Sequence, residues 1–173
     1  MCSPRRERST SNSVARVAGA ALVALATAAL AAAPSALDLR VVGHDGAETT
    51  VRRLVGDQSA VVAFWASYCA PCKAEVPALN RAAERWNAKG LRVIGVSLES
   101  DVARVAEAAK AWDMHYDTYP LVAGQEKATE ALFPNGLPTS ALVRKGATTL
   151  HEKRLDDEAI DQLVPALLET PTP

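Results

Sequence analysis

Two short apolar runs, AVVAFWA at residues 60–66 and LRVIGVSL at residues 91–98, stand on either side of a segment with helical spacing. Runs of this length with little alternation suit strands covered on both faces. Between them, Val76, Leu79, Ala82, Ala83 and Trp86 recur at helical intervals, which predicts a helix over 71–88 that closes near Lys89-Gly90. A strand, a helix and a second buried strand together predict parallel pairing through a right-handed crossover, hence an α/β domain.

The flanking sequence extends this unit. Residues 37–54 alternate around Asp45-Gly46, a favourable hairpin turn, and predict a β-hairpin ahead of the first buried strand. Ser100 is placed to cap a helix whose buried face carries Val102, Val105, Ala106, Ala109 and Trp112. A short helix is expected over 125–132, and residues 138–153 read as two strands turning at Lys145-Gly146. The last helix should begin at Asp156, where Asp157 and Glu158 favour its positive end, and Pro165 predicts a kink or a break. Phe64, Trp65, Trp86 and Trp112 are read as core, with Trp65 close enough to the cysteines to serve them as well.

The amino-terminal region is of a different kind. Arg5, Arg6, Arg8 and Arg16 against Glu7 leave residues 1–34 net positive, and the remainder holds 15 basic and 19 acidic side chains. An acidic body without a basic stripe or aromatic platform excludes a nucleic-acid surface. After Arg16 come 17 residues without a charge, rich in alanine. A basic leader, an apolar stretch and small residues after it describe an export signal. The run is slightly short of the roughly 20 residues that span a bilayer. Residues 1–35 are therefore expected to be a signal peptide or an amino-terminal membrane anchor, residues 36–169 the domain, and 170–173 a loose tail. Export places the domain in the periplasm or at another extracytoplasmic face of the membrane.

Of three cysteines, Cys2 lies in the leader and Cys69 and Cys72 in the domain. A disulfide between these two closes too small a loop to serve chiefly as a stability staple, although an oxidising compartment permits one. The C-A-P-C stretch sits where the first buried strand hands over to a helix. First-turn backbone N–H groups have no intrahelical acceptor and carry the positive end of the helix dipole, so a thiolate at Cys69 is favoured there. Such thiols titrate at about 7 or lower instead of about 8.5. Pro71 suits a first turn, because its missing N–H has no partner to lose. Cys72, one turn further in, is expected to be the less exposed of the two.

The strand–WASYCAPC–helix stretch, followed by Gly136-Leu137-Pro138-Thr139 ahead of a strand, resembles the thioredoxin superfamily. More narrowly, the sequence is similar to the exported TlpA/ResA-like thiol–disulfide oxidoreductases over roughly residues 37–169. The resemblance implies a thioredoxin-like α/β fold, a central mixed β-sheet flanked by helices with an extra amino-terminal β-hairpin. It implies that Cys69 attacks, that Cys72 resolves, and that Pro138 is the cis-proline beside them. Glu75 matches an acidic residue that tunes cysteine acidity in the ResA-like branch. Trp65, Tyr68, Pro71, Leu137 and Pro138 are the implied substrate-binding residues. Tyr68 replaces the usual Trp before the first cysteine. Ala63 stands where thioredoxins proper place a buried carboxylate that moves protons, and Glu75 or a water is expected to take that role.

Other chemistries fit less well. A structural zinc needs four ligands, and beyond the cysteine pair there are only His44, His115 and His151, far apart in sequence. Peroxiredoxins share the fold, but their cysteine follows a P-x-x-x-T-x-x-C pattern, and here Val62 and Ala66 hold the Pro and Thr places. Glu75 as an ordinary solvated helix charge is the simpler alternative to a proton carrier. The reading that results is an exported monomeric oxidoreductase with no bound cofactor and no metal. Its expected task is to reduce protein disulfides, such as those of apocytochrome c during cytochrome c maturation, with recharging by a membrane thiol–disulfide donor. A disulfide-forming oxidant and a non-catalytic binding module with a permanent Cys69–Cys72 bond remain as alternatives.

Overall fold

Five strands form one sheet in the order β5-β4-β3-β6-β7, made of Thr118–Pro120, Leu91–Ser97, Ser59–Trp65, Thr139–Arg144 and Ala147–His151. The structure is a computed structural model that describes residues 35–169. All but the last residue of the expected leader, and the tail at 170–173, lie outside the described residues. Among the described residues no helix is long and apolar enough to cross a membrane.

β3 and β4 run parallel, with Ala63 opposite Gly95 and Trp65 opposite Ser97, as a crossover through α2 (Ala70–Trp86) requires. β6 lies antiparallel on the other side of β3 with Ser140 opposite Ala63, and β7 continues antiparallel, so the central sheet is mixed. Alternate residues of β3 feed two cores. Ala60, Val62 and Phe64 pack with Ile94, Val96, Ala141, Leu132 and Phe133; Val61 and Ala63 pack with Leu79 and Ala82 of α2 and with Ile160 and Val164 of α5 (Asp157–Leu168). Phe64 is fully buried, with its ring 4.5 Å from that of Phe133; burying such a side chain is worth about 1.5–3 kcal/mol.

A separate antiparallel pair, β1 (Arg40–Val42) and β2 (Glu48–Thr50), forms the expected hairpin. It is tied to the domain where Val41 bridges Leu121 and where the Gln125 side chain bonds both the N–H and the carbonyl of Arg40.

Four local expectations need correction. The alternation through residue 54 does not continue as strand: Val51–Val55 is a short helix, α1, capped by the Thr50 hydroxyl, and five residues are too few for helical period to stand out. The edge strand β5 escaped notice because it is three residues long and ends in Pro120, which an edge tolerates. The helix α3 (Val102–Ala111) is capped by Asp101, whose carboxylate accepts the Arg104 N–H at 3.1 Å, and Ser100 lies one residue too early. Of the kink or break expected at Pro165, the break does not occur. α5 runs to Leu168, because the proline removes one N–H while Ile160, Val164 and Leu167 keep their shared buried face. The short helix over 126–132, α4 (Glu126–Leu132), lies where the sequence placed it.

Candidate active site

α2 begins at Ala70 with Cys69 as its cap, and the side-chain cap is a sulfur. Cys69 has an extended backbone, φ −88° and ψ 91°, and its Sγ accepts the Cys72 N–H at 3.2 Å. The Lys73 N–H donates to the Cys69 carbonyl at 3.1 Å. Pro71 has no N–H to place, and the N–H groups of Cys72 and Lys73 both go to Cys69. Cys69 and Cys72 are joined in a disulfide with Cα atoms 5.3 Å apart.

Both sulfurs are well covered. Cys69 is 7% exposed and Cys72 2%. Cys72 is the deeper, as expected, but Cys69 is not an open sulfur in this oxidised form, because Val105 of α3, Trp65, Ala66 and the half-buried Leu137 pack around it. Leu137-Pro138 is a cis peptide at the start of β6. Tyr68 is 76% exposed, the most exposed large apolar side chain among the described residues. Pro71 is exposed beside it.

Trp65 closes one wall. Its Nε1 donates to Thr118 Oγ1 at 3.0 Å, and its ring lies 5.1 Å from that of Trp112 on the α3 side. Gly95 makes room for this arrangement: a Cβ there would stand 2.8 Å from Thr118 Oγ1 and 3.1 Å from Trp65 Nε1. Neither Thr118 nor Gly95 was singled out in the sequence, since their role exists only once β4 and β5 pair.

Glu75 is buried, 2% exposed, one helical turn beyond Cys72, and is no solvated helix charge. Its Oε1 accepts the Leu155 N–H at 2.5 Å. Burial pushes its pKa up from an ordinary 4.5 to about 7, against the smaller lowering by the Leu155 N–H and the Arg154 charge. Buried Tyr116 is close enough for the Glu75 charge to add to the upward push that burial gives its phenol. Ala63, in the middle of β3, supplies no carboxylate, and Glu75 supplies one from the helix that packs on that face.

On the opposite flank the turn from β3 to α2 is held by residues that sequence reasoning did not find. Glu99 accepts both the N–H and the hydroxyl of Ser67, at 2.5 Å and 2.8 Å, and Arg104 Nε lies 3.3 Å from Glu99 Oε1. The one available signal was position. Glu99 follows the carboxyl end of a central strand, where open α/β sheets place their sites.

The histidines stand apart from this region: His44 pairs with Asp117, His115 with Asp113 and Glu84, and His151 ends β7.

The chain is similar to known proteins in sequence and in fold. ResA, named a thiol-disulfide oxidoreductase, from Bacillus thuringiensis subsp. konkukian is 27% identical over 89 residues, 51% of this chain and 50% of the relative. The chain thus spans about half the length of the curated relatives it matches. A crystal structure of a putative thiol:disulfide interchange protein DsbE from Chlorobium tepidum is similar at TM-score 0.64 and 25% identity, covering 79% of this chain and 97% of that one. The thioredoxin domain of a Bacteroides vulgatus thiol-disulfide oxidoreductase superposes at TM-score 0.66 and 19% identity, over 79% of this chain and 98% of the other, which shows the fold. The thioredoxin-like fold expected from the strand–CxxC–helix unit is thus the fold of the molecule. The family model described as AhpC/TSA family matches residues 32–144, from the leader's end through the cysteine helix to β6. With well over half its length inside that match, and the cysteine pair and the central strands within it, the chain belongs to the AhpC/TSA family.

Proposed function

We propose that the protein is an exported thiol–disulfide oxidoreductase that reduces protein disulfides. The observation that carries this reading is the Cys69 sulfur, which caps α2, accepts the Cys72 N–H, and is already bonded to Cys72. The same N–H and the dipole of a 17-residue helix favour a thiolate when the bond is open.

In the reduced protein the Cys69 thiolate attacks one sulfur of a substrate disulfide. A mixed disulfide forms and the first substrate sulfur leaves as a thiolate, which takes a proton from solvent. Cys72 then loses its proton and attacks Cys69, which releases the second substrate thiolate and restores the Cys69–Cys72 bond. Two electrons pass from the cysteine pair to the substrate, so no bound cofactor takes part. Glu75, poised near pH 7 one turn below Cys72, is the group that receives the Cys72 proton. The exposed Tyr68 and Pro71 and the half-buried Leu137 and Pro138 are the residues that an extended substrate segment meets in this reading, with the buried Trp65 backing the cysteine pair. In the relatives that the sequence resembles, a proline before the second cysteine accompanies reducing members, and Pro71 holds that place. A reductant outside the cytoplasm needs recharging by a membrane thiol–disulfide donor. The specific substrate we propose is apocytochrome c, whose cysteines must be thiols when haem is attached.

The reduction potential of the Cys69–Cys72 pair tests the direction. A value toward the about −270 mV of thioredoxin supports a reductant, and a value near the about −120 mV of DsbA reverses the role to disulfide formation. A pair that fails to exchange with dithiols at all would leave only a binding module.

A further inference from the structure

The turn that seats Cys69 is anchored from another strand. β4 ends at Ser97, and two residues later Glu99 turns a carboxylate, 15% exposed, against the β3–α2 turn. Its oxygens divide their work. Oε2 accepts the Ser67 backbone N–H at 2.5 Å, and Oε1 accepts the Ser67 hydroxyl at 2.8 Å and faces Arg104 Nε at 3.3 Å. Arg104 Nε also reaches Ser67 Oγ at 3.3 Å.

Glu99 is itself held to the sheet. Its N–H donates to Ser97 Oγ at 3.2 Å, its carbonyl accepts the Leu121 N–H at 3.0 Å, and the neighbouring Leu98 N–H donates to the Trp65 carbonyl at 2.9 Å. The held residue lies inside a tight turn: the Cys69 N–H donates to the Ala66 carbonyl at 2.9 Å, and Ser67 and Tyr68 are the two residues between. Fixing Ser67 therefore fixes where the chain delivers Cys69 to the helix.

We propose that Glu99 is a positioning residue for Cys69. By holding both polar groups of Ser67, it keeps the Cys69 sulfur over the Cys72 N–H. Arg104 offsets its charge, so that a carboxylate on the sulfur's flank does not oppose the thiolate. An uncompensated anion there raises a thiol pKa, and the same is true of a lost N–H bond to the sulfur. The Glu99–Ser67–Arg104 group avoids both effects. This rests on the reading of Cys69 as the attacking thiolate.

The test is the pH profile of Cys69 alkylation by iodoacetamide in the reduced full-length protein, resolved by mass so that Cys2 and Cys72 do not contribute. The double variant Glu99→Ala/Arg104→Ala removes the clamp without changing net charge. Its Cys69 profile should rise by about half to one pH unit, part of the lowering that a helix start gives such thiols. Glu99→Gln/Arg104→Gln is also charge-balanced and keeps an oxygen for the Ser67 N–H, so it should recover most of that change. A merely structural role would lower the melting temperature and leave the profile where it was. Coincident profiles for wild type and the double alanine variant overturn the proposal, as does a glutamine pair that shifts as far as the alanine pair. If the alanine pair does not fold, Ser67→Ala removes the hydroxyl contact at constant charge. A smaller rise is expected there, and no change overturns the proposal. Failure of the underlying reading is separate, since wild-type protein would then not reduce insulin disulfides at all.

Discussion

Glu75 Oε1 accepts the backbone N–H of Leu155 at 2.5 Å, which ties a carboxyl on the cysteine-bearing helix to the segment that enters α5. Eighty residues separate the two in sequence. The bond accounts for how a carboxyl is tolerated at 2% exposure, and burial still holds its pKa at about 7. A buried acid with a single backbone partner is protonated part of the time near neutral pH, which is the property a proton acceptor needs.

Stability should record this burial. The folded pKa lies above the ordinary one, so the folded state binds the proton more tightly than the unfolded chain does. The stability this gives is complete below about pH 4.5 and is lost as pH rises through about 7. The shift corresponds to about 3 kcal/mol. Denaturant unfolding of the oxidised protein at several pH values should therefore show wild type losing stability relative to Glu75→Gln across that window. Parallel curves for the two proteins contradict the raised pKa.

The same substitution should slow resolution of the mixed disulfide at neutral pH by about a hundredfold, the scale of a lost general base. Attack by Cys69 should change much less. Rapid-mixing kinetics with a disulfide peptide separates the two steps, and equal slowing of both contradicts a role confined to the Cys72 proton.

Gly95→Ala should destabilise the fold by about 1–3 kcal/mol, the scale of overpacking a filled core. The added Cβ meets Thr118 Oγ1 at 2.8 Å and Trp65 Nε1 at 3.1 Å. Trp65 must then shift, so the intrinsic fluorescence should change together with the denaturation midpoint. An unchanged midpoint contradicts the close contact.

How much of this stood in the sequence depends on how far apart the cooperating residues lie. Val76, Leu79, Ala82 and Trp86 repeat on one helix face, and Cys69, Cys72 and Glu75 fall within two turns of that helix, so both the strand–helix–strand unit and the sulfur pair were legible. α1 has five residues and β5 three, too short for any period to show. Asp101 and Ser100 are both good caps, and only the backbone decides between them. Glu99, Arg104, Thr118 and Leu155 join the site from other elements. The side chains of Glu99, Arg104 and Thr118 look like ordinary surface or loop residues until the sheet brings β3, β4 and β5 together, and Leu155 takes part through its backbone N–H, which no side-chain pattern reveals.

Tyr68→Ala should leave stability within about 0.5 kcal/mol, because an exposed side chain makes few contacts to lose. Its effect should fall on partner binding. KM for a protein disulfide should rise several-fold, while the rate with dithiothreitol stays near wild type. Equal loss with the protein disulfide and with dithiothreitol contradicts a contact role for Tyr68.

The most direct test of the whole account is the titration of Cys69 in the reduced wild-type protein, followed through thiolate absorbance or pH-dependent alkylation. The account predicts a pKa near about 7 or lower, as for a sulfur held by first-turn N–H groups at a helix start. A value close to the about 8.5 of a free cysteine contradicts it.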